Sequence, residues 1–297
     1  MSNPLARRLR LASRLLALRE AAGLTHAALA AQAGVSTATI SRLENPDTHI
    51  NRKISVASVD KILRGLGVTK STEWCELHEH AEAGAEDGWW DNPIYARMGE
   101  GQRVAAIVEA GAGRILEYAN ALLPGLVQTA DYARHRAELG LALNSLNSTV
   151  DVDRIVAGRL RRQREIMDAG VPYLLICEEQ TIRRRSAPRP VMVDQLRHLL
   201  KLVELPNVSI RVVPVDAEIA NGCGVTARDP YSLVTYPDPD DPRIVAVDTV
   251  TQTLVITDVG AVQGYAQLHE RLQSAALSDD DSVAMIREAA DRMAAAM

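Results

Sequence analysis

Thr37, Ala38, Ser41 and Arg42 fall on one side of a short helical run, three small side chains beside one long guanidinium. Small residues let a helix enter a DNA major groove, and an arginine among them can place two parallel donors on a guanine edge. Other chemistries leave no comparable mark. The sequence has no phosphate-cradling glycine loop and no Gly-x-Ser-x-Gly. Its histidines share no ligand spacing with Cys75, Cys177 and Cys223, so no metal or cofactor is expected and the thiols read as reduced. Glu178-Glu179 ends an apolar run without an identifiable base or nucleophile beside it. Asp238, Asp240 and Asp241, interleaved with prolines, read as an exposed turn rather than a cation site. The expectation is a binding protein, not an enzyme.

The elements that must carry those four residues follow from periodicity and caps. Leu11, Leu15 and Leu18 make one apolar stripe on a helix from Leu5 to Ala22, and Gly23 stops it. Thr25 has the chemistry of an N-cap for a second helix, with Ala28, Leu29 and Ala33 facing inward. Gly34 sits where a tight turn needs a left-handed residue. Ser36 caps a third helix whose inner side is Ile40 and Leu43. A fourth helix from Ser55 to Leu66 closes the bundle. Two short helices about a glycine turn, the second polar outward, are the pattern of a helix-turn-helix DNA reader.

Charge is divided unevenly. The whole chain has a formal net charge of −5. Residues 1–70 carry 11 Lys and Arg against 4 Asp and Glu, a net of +7, which leaves −12 on residues 71–297. A basic head suits phosphate binding, and an acidic body would repel DNA and orient the molecule on it.

At 297 residues the chain is long enough for two domains. The expected division is a helix-turn-helix head at 1–70, a helical connector at 71–100 and an α/β regulatory, dimerisation and partner-binding domain at 101–297. In the connector, Trp89-Trp90 fits either a ligand-cage wall or an apolar plug between domains, and the plug is the expectation. Beyond it, strands are expected at Arg114–Ala119, Pro172–Glu178, Val208–Val213, Tyr231–Tyr236, Ile244–Val250 and Leu254–Thr257, with helices between and after them. The fold class is therefore an all-α head of four to five helices followed by a mixed α/β (α+β) domain. The arginine runs at 159–164 and 183–185 read as solvated faces. No run of 18 apolar residues suggests a membrane span, and a cytoplasmic protein is expected.

Two resemblances sharpen this reading. The phrase Leu24-Thr25-His26 … Leu29-Ala30 … Gly34-Val35-Ser36 … Ile40-Ser41-Arg42-Leu43-Glu44 resembles the phage-repressor-type (Xre-type) helix-turn-helix family. The resemblance implies base contacts from Thr37, Ala38 and Arg42, to which the outward face adds Ser41. It implies that His26, Ser36, Thr39 and Asn45 touch phosphate or support those contacts, and that Arg19 and Glu44 form a structural ion pair. Arg52 and Lys53, past the following loop, are expected against phosphate as well. His26 stands where the family has glutamine, and Pro46-Asp47 where it has a glycine-containing turn. The second phrase, Pro124-Gly125-Leu126-Val127-Gln128-Thr129 followed by Tyr132-Ala133-Arg134, resembles a group of actinobacterial regulators described as antitoxin-like. That resemblance implies an antitoxin-like repressor on double-stranded DNA, with a small partner protein encoded nearby; a homodimer is expected because one small head gives limited affinity. The alternative is a ligand-sensing regulator whose C-terminal domain binds a small-molecule effector of unknown identity.

Overall fold

The computed structural model describes residues 3–45, 53–69, 71–95, 97–143, 150–217, 229–249 and 252–296. The chain forms two compact units. The first comprises Met1–Gly88 together with Thr235–Arg243; the second comprises Trp89–Val234 and Ile244–Met297. No helix among the described residues is long and apolar enough to cross a membrane.

The first unit is all-helical: α1 (Pro4–Ala21), α2 (His26–Ala33), α3 (Thr37–Glu44), α4 (Val56–Gly65) and α5 (Thr72–Ala85). Each begins on a polar N-cap that accepts a bond from the amide three residues on: Asn3, Thr25, Ser36, Ser55 and Ser71. Such caps are each worth about 1 kcal/mol, a sizeable contribution for helices of eight residues that would not persist alone. Gly34 ends α2 at φ 62°, ψ 40°, with open space where a Cβ would lie. Glycine is favoured there by the left-handed backbone and not by crowding. Gly65 is the reverse case: a Cβ would come within 3.0 Å of Ala33 Cβ, so its absence lets α4 close on α2. The core joins Leu11, Leu15, Leu29, Ala33, Ile40, Leu43, Val59, Ile62, Leu63 and Leu77 from all five helices. The head was expected to end at residue 70. α5 instead packs along α1, so the compact unit runs on to Gly88.

Polar bonds fix α3 within that bundle. Arg19 Nε on α1 lies 2.9 Å from both carboxylate oxygens of Glu44 on α3. Its Nη1 donates to the Leu24 carbonyl at 2.9 Å. His26 Nε2 on α2 lies 3.0 Å from Glu44 Oε2. The Glu44 side chain is 5 % exposed.

The loop Thr235–Arg243 also belongs to this unit. Its aspartates are only in part the exposed turn the sequence suggested, Asp240 being exposed and Asp238 half-buried. Asp241 is buried, and Arg7 and Arg10 of α1 reach Asp238 at 2.9 Å each. Asp241 lies 3.3 Å from Arg10 and 3.5 Å from Arg7.

The second unit is built on a six-stranded mixed sheet, so the chain as a whole is α+β. Its strands are β1 (Arg114–Ala119), β2 (Tyr173–Glu178), β3 (Val208–Val213), β4 (Tyr231–Thr235), β5 (Ile244–Asp248) and β6 (Thr253–Ile256), in the order β3-β2-β1-β4-β5-β6. β1, β2 and β3 are parallel, with Leu116 opposite Leu174 and Leu174 opposite Ser209. β4, β5 and β6 are antiparallel, with Leu233 opposite Val245 and Val245 opposite Ile256. The helices are α6 (Glu100–Glu109), α7 (Ala130–Leu143), α8 (Val152–Met167), α9 (Glu179–Arg183), α10 (Arg189–Leu202), α11 (Val259–Ala275) and α12 (Asp279–Ala295). β2 is buried along both faces, which explains its unbroken apolar run. Trp89 and Trp90 fall in this unit, where Trp89 stands edge-on to Trp90 and to Tyr95.

One sheet face packs Tyr118, Leu174, Ile176, Tyr231 and Val245 against Val262 and Leu272 of α11. Buried beside them, His269 places Nδ1 3.2 Å from the Tyr231 hydroxyl, while its Nε2 has no hydrogen-bond partner among the described residues. Burial, aided by the Arg114 charge, pushes the imidazole pKa down to about 4.

Two predictions follow from these contacts. Between pH 6.5 and about 4 the unfolded chain binds a proton at His269 that the folded chain refuses. Stability is therefore full above that window and falls as the pH drops through it. A His269→Phe variant should have a shallower acid slope in thermal unfolding followed by near-ultraviolet circular dichroism; parallel slopes would remove His269 as the cause. Secondly, Arg19→Ala leaves the buried Glu44 carboxylate with His26 as its partner and no arginine against it. It should destabilise the α1–α3 contact by about 3 kcal/mol, read as lost amide protection in α3 by hydrogen exchange on the full chain. Unchanged protection in α3 would show that the apolar contacts alone hold it.

Candidate nucleic-acid interface

α3 is amphipathic in a way that leaves its polar side available. Ile40, Leu43 and Glu44 are buried, whereas Thr37, Ala38, Ser41 and Arg42 are exposed and share the outer face. Arg42 folds back along its own helix, with Nε donating to the Ala38 carbonyl at 2.9 Å and Nη2 lying 3.5 Å from Thr39 Oγ1. An extended guanidinium would exchange these exposed contacts for a base edge.

The residues expected against phosphate are placed less uniformly. Ser36 Oγ accepts from the Thr39 amide at 3.1 Å and lies 2.8 Å from the Thr39 hydroxyl, so both residues serve the start of α3. Asn45 is exposed and extended at its end. His26 turns Nε2 to Glu44, with 43 % of its side chain still exposed. Lys53 is exposed and paired with Asp87. Arg52, together with Pro46 and Asp47, lies outside the described residues.

Charge is distributed differently in the folded unit than in its sequence. α5 and the two residues after it add six acidic groups and no Lys or Arg, and Thr235–Arg243 adds three aspartates and one arginine. The first unit as a whole thus holds 12 Lys and Arg against 13 Asp and Glu. Arg7, Arg10 and Arg14 of α1 all meet carboxylates. Net positive charge is consequently a property of residues 1–70 and not of the folded unit.

In the second unit, the 124–129 phrase serves as a packed loop. Gln163 Nε2 donates to the carbonyls of Gly125 and Gln128, at 2.8 and 2.7 Å. Gln195 donates to the Val127 carbonyl and accepts from the Thr129 amide, both at 2.7 Å. Gln128 donates to the Leu123 carbonyl and accepts from Arg159. Thr129 Oγ1 accepts from the Tyr132 amide at the start of α7. Sequence reading missed these partners. A signal was present in Gln195, a wholly buried polar residue on the apolar stripe Met192, Val193, Leu196 and Leu199.

The arginine run at 159–164 departs from the solvated face expected of it. Arg162 is buried in a two-pronged pair with Glu109 and also reaches Gln102. Arg159 is half-buried against the loop, and Arg164 is exposed. The buried Glu109 carboxylate is what draws Arg162 inward, since neither charge could be buried alone.

No metal-ligating group of three or more side chains occurs among the described residues. Cys75 is exposed and Cys177 buried, with burial pushing the Cys177 thiol up to about 12, so it stays protonated and unreactive. Cys223 lies outside the described residues.

Comparison with known proteins agrees with this division. A helix-turn-helix domain model matches residues 10–74, the segment that includes the turn at Gly34 and the exposed face of α3. No curated protein and no solved structure matches the chain. A model described as a domain of unknown function, DUF5753, matches residues 102–288, well over half of the chain. The chain therefore belongs to the DUF5753 family and carries a helix-turn-helix domain ahead of that domain.

Proposed function

We propose that this chain is a sequence-specific, DNA-binding transcriptional regulator that lays α3 in the major groove of its operator. The observation that carries the reading is the exposed set Thr37, Ala38, Ser41 and Arg42 on a helix held from behind by Glu44. Arg42 reads a base, and Thr37, Ala38 and Ser41 allow close approach to it. Ser36, Thr39, Asn45 and His26 line the edge of that surface, and Arg52 and Lys53 meet the backbone. The regulator acts as a homodimer on a near-palindromic site, because one eight-residue helix contacts few base pairs and a second head multiplies discrimination. Its place of work is the cytoplasm, where its DNA partner lies. An antitoxin-like repressor role, with a small partner protein on the C-terminal domain, rests on the family resemblance of the 124–134 phrase. A second reading, a ligand-sensing regulator, is favoured by a basic cavity in the second unit.

The test is selection of genomic fragments with purified protein, followed by variants on the selected site. Arg42→Ala should cost about 1–3 kcal/mol and relax preference at one base position. Arg52→Ala should weaken all sequences alike and reduce the salt slope by about 1. An Arg42→Ala protein that binds the selected site as tightly and selectively as the parent would remove the assigned docking.

A further inference from the structure

We infer that the groove between the α9–α10 turn and the last turns of α12 is a binding site for a phosphate-bearing small molecule, about the size of a mononucleotide. This deepens the ligand-sensing reading and rests on it for its regulatory meaning.

The cavity has a volume of about 320 Å³ and is lined by Arg183, Arg185, Arg189 and Arg292 with Ala289 and Met293. That size falls at the lower end for ligand pockets, which combine an apolar lining with a few convergent polar groups. Here the apolar part is Ala289 and Met293, and the polar groups are four guanidiniums from two ends of the same unit. Guanidinium forks match the geometry of phosphate oxygens, two donors to two acceptors.

The arginines are oriented without being used up. Glu179 accepts from Arg183 Nε, and Glu288 bridges Arg183 Nη2 at 3.3 Å and Arg292 Nε at 3.1 Å. Arg189 Nη1 donates to the Ala296 carbonyl near the end of α12. That bond covers an acceptor at the negative end of the helix, which would otherwise oppose an anion. Each guanidinium has five N–H donors, so these bonds leave donors over. Arg185 is exposed and has no acidic partner among the described residues. The groove thus sets four positive charges against two carboxylates.

The surroundings favour a compact anion over an extended one. The second unit holds 21 Lys and Arg against 25 Asp and Glu, a net charge of −4. A long polyanion laid across it would meet repulsion beyond the groove, whereas a small phosphate ester stays within the basic pit.

The test is calorimetric titration of the full-length protein with inorganic phosphate, pyrophosphate, AMP and uncharged adenosine. Pyrophosphate or AMP should bind with one-site stoichiometry, adenosine should not, and affinity should weaken as salt is raised. Arg185→Ala combined with Arg189→Ala should weaken binding at least tenfold. Arg184→Ala, exposed and outside the lining, should leave it within twofold. Circular dichroism melting checks that the variants stay folded. Absence of binding by every phosphate probe at millimolar concentration would overturn the proposal. So would an equal loss in Arg184→Ala, which would mean diffuse charge attraction, or displacement of pyrophosphate by a random-sequence DNA duplex. Probe binding that leaves operator affinity unchanged would support the site while removing the sensor reading, so the two failures are distinct.

Discussion

One buried carboxylate holds α3 in place. Glu44 ends α3, and its oxygens take bonds from Arg19 on α1 and His26 on α2. Arg19 also reaches the Leu24 carbonyl in the link between those helices. Eight residues are too few for a helix to be stable by its own hydrogen bonds. α3 has Ile40 and Leu43 to anchor it on the core, and two apolar residues leave it free to roll about its axis. A third attachment, directional and charged, removes that freedom. Because Glu44 must face inward to be paired, Thr37, Ala38, Ser41 and Arg42 must face outward. The cost of an unpaired buried charge is what makes the orientation unique.

Electrostatic attraction is a weaker determinant than residues 1–70 suggest. Their positive excess is met within the same compact unit by α5 and by the 235–243 loop. Arg7 and Arg10 point at Asp238 and Asp241, and Arg14 at Glu73. Arginines held by carboxylates release few counterions from DNA, since their field is already compensated at short range. In the docking proposed above, recognition would then rest on shape and on a few hydrogen bonds.

Local features were legible in the sequence, and long-range ones were not. Thr25 and Ser36 cap helices because a small hydroxyl before an amphipathic run has one low-energy use. β1 and β3 were readable to the residue because both are short, bounded by breakers and rich in β-branched residues or alternation. The short α9 escaped because five residues offer no period to detect. The strand order, with β1 beside β4, depends on packing across distant segments, and no local pattern encodes it. The reach of the first unit to Gly88 and to the 235–243 loop was hidden for the same reason. The charged runs misled in a consistent way. A run of arginines says nothing of where the complementary carboxylates lie, and Glu109 and Asp241 each turned an expected surface into a buried or half-buried pair.

The 124–129 loop shows why a short phrase can matter without chemistry of its own. A loop that buries Leu126 and Val127 also buries its backbone amides and carbonyls, which must find partners. Gln163 of α8 and Gln195 of α10 supply them, Gln163 by donating to two carbonyls and Gln195 by donating to one group and accepting from another, as an amide can and a carboxylate or amine cannot. The loop is thus the joint at which α7, α8 and α10 are set. α10 begins at Arg189, in the wall of the basic groove, and carries Gln195 at the joint. An anion drawing on Arg189 would act on a helix that also packs on α12 and on the loop that starts α7. Within the second unit, the helix bearing one wall of the cavity is therefore also a helix that positions the 124–129 loop.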